Sequence, residues 1–388
     1  MRTAFLGLAL AMALAPVPAA AQTPVPADAA SREALRKAGA EVLFWSQQQR
    51  DANFRRMEQI FPALPVKAGG KARLLTRGQA LPIDDPDVAR FIESQNIAGL
   101  IVLQDGKIRL ERYARGFGPD QRWTSFSVAK SVTSTLFGAA LKDGSIQSLD
   151  EQVIRYIPEL KGSAYDGVTV RQVLTMSSGA KWNEDYTDPK SDVAQMFARP
   201  VPANEDVTVS YMKTLSRAAA PGAKFNYNTG ETNLAGVILG RAVKMPISRY
   251  ASLKLWQPYG MEADAAWQVD EHGHEIAGCC MSVRLRDYAR IGQLMLEDGA
   301  GLLAPGWVRD ATSIHQPFSQ AGRGYGYFWW IEPNGYRASG IFGQSIWIDP
   351  TRKLVIAAVG AWPAAWDENL ATQRTAFFQR IAEAADRR

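Results

Sequence analysis

The chain has 388 residues, enough for one large domain or two ordinary ones, and its 46% hydrophobic and 21% charged residues are the proportions of a folded globular protein. The net charge of +5 comes from Lys and Arg scattered among Asp and Glu, without a basic block or basic–aromatic interleaving, which argues against a nucleic-acid partner. With 3 His, 2 Cys and no H-E-x-x-H helix, the chain offers no metal-ligand cluster, so neither a metal nor a cofactor is expected.

The start of the chain reads as a leader. Arg2 gives a short positive end, Ala4 to Ala15 an apolar run, and Ala19-Ala20-Ala21 a small-residue cleavage site. The run is too short for a membrane helix, which needs about 18 apolar residues or more, and no other stretch meets that length. Residues 1–21 are therefore expected to be a signal peptide cut near Ala21-Gln22. That places the protein in the periplasm or outside the cell, without a membrane partner after cleavage; its oligomeric state stays open.

Residues 22–86 are Pro- and Ala-rich, with one helix expected over Ser31–Arg56, and read as an N-terminal extension wrapping a main domain of residues 87–388. The segments 98–104 and 107–113 run or alternate apolar around Asp105-Gly106, a strong hairpin signal. A helix should follow from Ser127, with Val132, Leu136, Ala139 and Ala140 on its apolar face and Asp143-Gly144 as its stop. Further helices are expected at 170–176, where Thr169 is a cap, and at 206–217, 231–244, 247–256 and 285–296. The aperiodic Trp182–Pro189 stretch between them reads as a loop. Strands are expected at 324–331, 336–339, 344–348 and 353–359, before a closing helix at 368–384. The class is α+β: an antiparallel sheet lobe of about 87–145 and 275–388, flanked by helices, around an inserted helical lobe of about 146–274.

One stretch carries chemistry. Ser127 and Lys130 stand three apart at a helix start, one turn from each other on the same face. A serine hydroxyl needs a base to become a nucleophile, and a lysine serves only when neutral; burial disfavours the ammonium and supplies that state. Two other matches to this spacing differ in context. Ser178/Lys181 straddles Gly179 at a helix exit, and Ser210/Lys213 lies on a polar amphipathic face. Tyr227, on a turn entering a helix, is a candidate to pass a proton to a leaving group. The glycine-bracketed Ala338-Ser339-Gly340-Ile341 offers an N–H, that of Ile341 on a strand edge, to pair with that of Ser127 as oxyanion donors. His272, His274 and His315 have no G-x-S-x-G partner for a Ser-His-Asp triad. Cys279 and Cys280 are neighbours, a poor fit to the Cα separations of ~4.4–6.8 Å usual for disulfides, and are expected to be two buried thiols in a small-residue turn.

Taken in order, Ser127-x-x-Lys130, Tyr227-x-Thr229 and Ser339-Gly340 resemble the motifs of the serine β-lactamase and penicillin-binding-protein superfamily, in its class C and esterase-like branch. Leu174 to Gly179, Trp182 to Pro189, Pro258 to Glu262 and Gly340 to Gln344 further resemble the 6-aminohexanoate-oligomer hydrolases. The resemblance implies a β-lactamase-like fold and an acyl-enzyme serine hydrolase acting on small amides or esters. It makes Ser127 the nucleophile, Lys130 its base, Tyr227 the proton shuttle, and the N–H groups of Ser127 and Ile341 the oxyanion hole. Trp182, Tyr186, Thr229, Ser339 and Gly340 are implied as substrate-binding. Thr229 stands where lactamases carry Asn, and Ala338 where they carry a carboxylate-binding Lys; both changes argue against a β-lactamase or a penicillin-binding peptidase. Those activities, and a non-catalytic binding protein on the same fold, are the alternatives.

Overall fold

A computed structural model describes residues 23–387; the expected signal peptide lies outside the described residues. Among the described residues, twelve strands form two antiparallel sheets. In chain order they are β1 (Ala63–Val66), β2 (Ile97–Gln104), β3 (Lys107–Tyr113), β4 (Trp123–Thr124), β5 (Ala265–Gln268), β6 (Met281–Val283), β7 (Gln316–Pro317), β8 (Gly324–Tyr325), β9 (Trp330–Glu332), β10 (Gly335–Ser339), β11 (Ser345–Asp349) and β12 (Leu354–Gly360). The main sheet has the order β3-β2-β12-β11-β10-β9-β8-β7, so the early hairpin joins the late strands through the β2–β12 pairing.

Both faces of its centre are covered, which is why β2 and β12 are apolar runs rather than alternations. On one face Leu100, Val102, Leu354 and Ile356 pack with Phe91 of the helix Asp85–Ser94 and with Phe377, Phe378 and Ile381 of the closing helix Glu368–Asp386. Phe91 and Phe377 stack there at 3.9 Å. On the other face Ile101, Leu103, Val355 and Ala357 meet the helix Leu285–Leu296, while β10 meets the helix Val128–Lys142. The helix that begins after Ser127 is buried from Val128 to Ala140. Gly138 belongs there because any Cβ would come within 2.5 Å of the Trp307 ring.

The second sheet, β1-β5-β6-β4, was not visible in the sequence pattern. Its strands are only two to four residues long, too short to show a period. It nevertheless sets the approach to Ser127: β4 pairs with β6, and the Ser125 N–H donates to the Met281 carbonyl at 2.7 Å.

Several boundaries differ from expectation for local reasons. The helix expected over Ser31–Arg56 is two helices, Ala29–Glu41 and Gln47–Asn53, because Ser46 and Gln49 form a capping box that starts the second. The helix expected at 206–217 ends at Met212; the residues beyond pair with the Ser178–Lys181 turn, through Lys181 N–H to Ser216 O and Ala218 N–H to Gly179 O. The strand expected at 324–331 splits into β8 and β9, since Phe328 turns left-handed and its N–H goes to the Leu174 carbonyl.

Candidate active site

The serine turn is held in an unfavourable backbone state. Phe126, just before Ser127, has φ of 41°, a left-handed conformation that costs a bulky residue about 1–2 kcal/mol. Phe342, just after Ile341, is also left-handed at 59°. The two rings lie 5.2 Å apart, and both contact Phe54 of the N-terminal segment, at 5.0 and 5.3 Å. This three-ring cluster fixes both turns that carry the expected oxyanion donors. Ile341 itself opens a tight turn, residues 341–343, rather than lying on the strand edge expected of it, because β10 ends at Ser339. Gly340 lies so close to the serine turn that a Cβ there would be 2.6 Å from Ser125 O and 3.1 Å from Ser127 N.

Lys130 is 1% exposed and its Nζ has three neighbours: Ser127 Oγ at 2.9 Å, Thr229 Oγ1 at 2.9 Å and the Gly278 carbonyl at 2.7 Å. Burial pulls its pKa down to about 8, and the charge of Glu184 partly opposes this. Hydrogen-bond capacity then assigns the protons. A carbonyl only accepts, so one amine hydrogen goes to Gly278. The Thr229 hydroxyl donates to the Glu184 carboxylate and so accepts the second. The remaining lone pair of a neutral amine faces Ser127.

Glu184 was not singled out from the sequence, where it is one acid in an aperiodic loop. Its carboxylate accepts from Thr229 N–H at 2.9 Å, from Tyr186 OH at 2.8 Å, and from the Thr229 hydroxyl and the Trp182 indole. A charged-residue signal existed in Trp182-Asn-Glu-Asp-Tyr186, but only the fold brings Thr229 to it. Thr229, the departure from Asn noted above, therefore bridges Lys130 and the Glu184 carboxylate. Trp182 is buried against Tyr211 and Gly230 and does not border the cavity beside Ser127; its indole is committed to Glu184. Tyr186, Thr229, Ser127 and Ile341 do border it.

Tyr227 stacks on Trp330 at 5.5 Å, and its ring lies 5.2 Å from Lys130 Nζ. Burial, chiefly, and the Glu184 charge raise its pKa well above the ordinary phenol value, while hydrogen bonding with Ser127 acts the other way. The nearby lysine therefore does not leave it a loosened proton. Ser339 is buried in the β10–β11 pairing and does not border the cavity. Arg337 is tied to Glu332, and Ala338, fully buried, leaves no cation at the lactamase lysine position.

The other sequence matches separate cleanly. Ser178 donates to buried Glu231 while Lys181 is exposed; Ser210 and Lys213 both bind Glu205 on the surface. The cysteine expectation is corrected: Cys279 and Cys280 are half-buried and bonded to each other, with Cα atoms 3.7 Å apart. The left-handed backbone of Cys280 turns the chain so that neighbours can meet. The pair directly follows Gly278, whose carbonyl holds Lys130.

The β-lactamase family profile matches residues 85–376. The chain belongs to the β-lactamase family. It is 30% identical over 338 residues to a 6-aminohexanoate-dimer hydrolase of Paenarthrobacter ureafaciens, covering 80% of this chain and 85% of that one. A solved Bacillus anthracis protein, proposed to be a 6-aminohexanoate-dimer hydrolase, superposes with a TM-score of 0.75 at 22% identity, over 87% of this chain and 94% of that one. A D-stereospecific amidohydrolase from Streptomyces superposes with a TM-score of 0.55 at 18% identity, over 75% and 98% of the two chains. The α+β architecture and the serine hydrolase class of this family member stand on these matches together with the fold.

Proposed function

We propose that this serine hydrolase cleaves small amides or esters through an acyl-enzyme on Ser127. The observation that carries the reading is the arrangement around Lys130, whose only uncommitted electron pair faces the Ser127 hydroxyl. Ser127 Oγ attacks the substrate carbonyl carbon as its proton passes to Lys130 Nζ. The oxyanion is met by the N–H groups of Ser127 and Ile341, donors of a kind worth about 3–4 kcal/mol each in the transition state. The bond to nitrogen or oxygen breaks as the proton reaches the leaving group through the Tyr227 hydroxyl. Tyr227, held as a neutral phenol, accepts a proton from the lysine as it gives up its own. Water then attacks the ester by the same route reversed, releasing the acid and restoring Ser127.

The relatives named for amide cleavage favour amides, and the missing cation at Ala338 speaks against substrates that need their carboxylate recognised, as penicillins do. The protein acts as an exported enzyme after loss of residues 1–21. A fluorophosphonate probe should label the wild-type chain and leave Ser127→Ala unlabelled; equal labelling of both would refute the proposal.

A further inference from the structure

Beside Ser127 lies a cavity, partly open to solvent, whose walls are predominantly apolar. One wall is the N-terminal helix Ala29–Glu41 and the turn after it, through Leu35, Gly39, Val42 and Leu43. The facing wall is the segment after Ser191, through Val193, Met196 and Phe197, and the floor includes Ile276 and the bonded Cys279–Cys280 pair. The polar groups at its edge are largely committed. Arg36 pairs with Glu271, which is 4% exposed, and Asp270 accepts the N–H groups of His272 and His274 at 2.8 and 3.0 Å.

We propose that this cavity is an acyl pocket for a neutral, apolar acyl chain, roofed by the N-terminal helix; the inference rests on the acyl-enzyme reading above. Ser127 and Ile341 border the cavity, whereas Tyr227 and its neighbours Trp330 and Tyr325 do not. The leaving group must reach the Tyr227 phenol for its proton, so it occupies that side. The cavity is left for the other half of the substrate, the part that stays on the serine. An apolar chain gains there by leaving water, and a chain carrying a net charge would meet charged groups already engaged, Arg36 with Glu271 and Asp270 with the His272 and His274 N–H groups.

The test is kcat/KM of the full chain on p-nitrophenyl esters from acetyl to octanoyl, beside ω-amino-acyl esters of matched length. Since kcat/KM reports transition-state binding, it should rise about fourfold per added methylene until the chain fills the cavity. Gly39→Trp, at a position where a Cβ meets nothing within 4 Å, and Ala194→Trp on the facing wall should each lower the octanoyl-to-acetyl ratio at least tenfold. Ser127-dependent turnover that is flat along the series, or a ratio moved by neither variant, would overturn the pocket while leaving the acyl-enzyme intact. Preference for the ω-amino chains would overturn its neutrality and assign Glu271, whose Oε1 has no hydrogen-bond partner among the described residues, as their acceptor. Loss of all Ser127 dependence would instead remove the catalytic reading, and the pocket with it.

Discussion

If Lys130 activates Ser127 as a neutral amine, the acid limb of the pH–rate profile is fixed by its burial. With a pKa of about 8, roughly a tenth of the enzyme holds the neutral amine at pH 7, against about 1 in 3,000 for a lysine at its ordinary value. kcat/KM on p-nitrophenyl acetate, followed from pH 5.5 to 10 with spontaneous hydrolysis subtracted, should climb tenfold per unit to about pH 8 and then level. No descending limb from Tyr227 should appear below about pH 10, because its pKa is raised, not lowered. The buried group whose titration coincides with this limb is Glu231, pushed up to about 8 by burial; Arg374, pulled down to about 9 by burial, lies above it. Glu231→Gln is therefore the control, and it should leave the limb where it is. A profile flat from pH 6 to 9, a limb that vanishes in Glu231→Gln, or a midpoint near 10.5 would refute the assignment of the base.

Glu184→Gln should move the same limb to lower pH, since the lost charge is one that raises the Lys130 pKa. It should also cost about 2–4 kcal/mol by chemical denaturation, because a single amide oxygen cannot accept the four donors the carboxylate holds; an unmoved limb would deny the coupling. Lys130→Met should abolish turnover without lowering stability. A pKa depressed from 10.5 to about 8 means the buried ammonium costs the fold about 3 kcal/mol below pH 8, a penalty that fades as pH rises from 8 to 10.5; clear destabilisation of the variant at pH 7 would contradict this. Gly340→Ala forces a methyl against the serine turn and should cost about 1–3 kcal/mol in denaturation, with kcat falling about 10- to 100-fold. Wild-type kinetics in that variant would show that the turn is less constrained than its contacts imply.

Much of the site was legible in the chain because its parts are local. Ser127 and Lys130 meet through one helical turn, and an apolar helix start is enough to imply a buried amine. The hairpin at Asp105-Gly106, the apolar β12 and the closing helix are likewise readable from period and turn chemistry. What stayed hidden depends on partners distant in sequence. Glu184 matters because Thr229 and Lys130 come to it, and no spacing rule links a loop acid to a residue 45 positions on. Phe126 is an ordinary aromatic until Phe54 and Phe342 hold it left-handed. The residue types at 127, 130 and 227 thus carry the proposed chemistry. The tertiary packing alone decided which lone pair faces the serine, which carboxylate tunes it, and that the N-terminal helix closes an apolar space beside it, because burial and hydrogen-bond commitment belong to neighbours in space rather than in sequence.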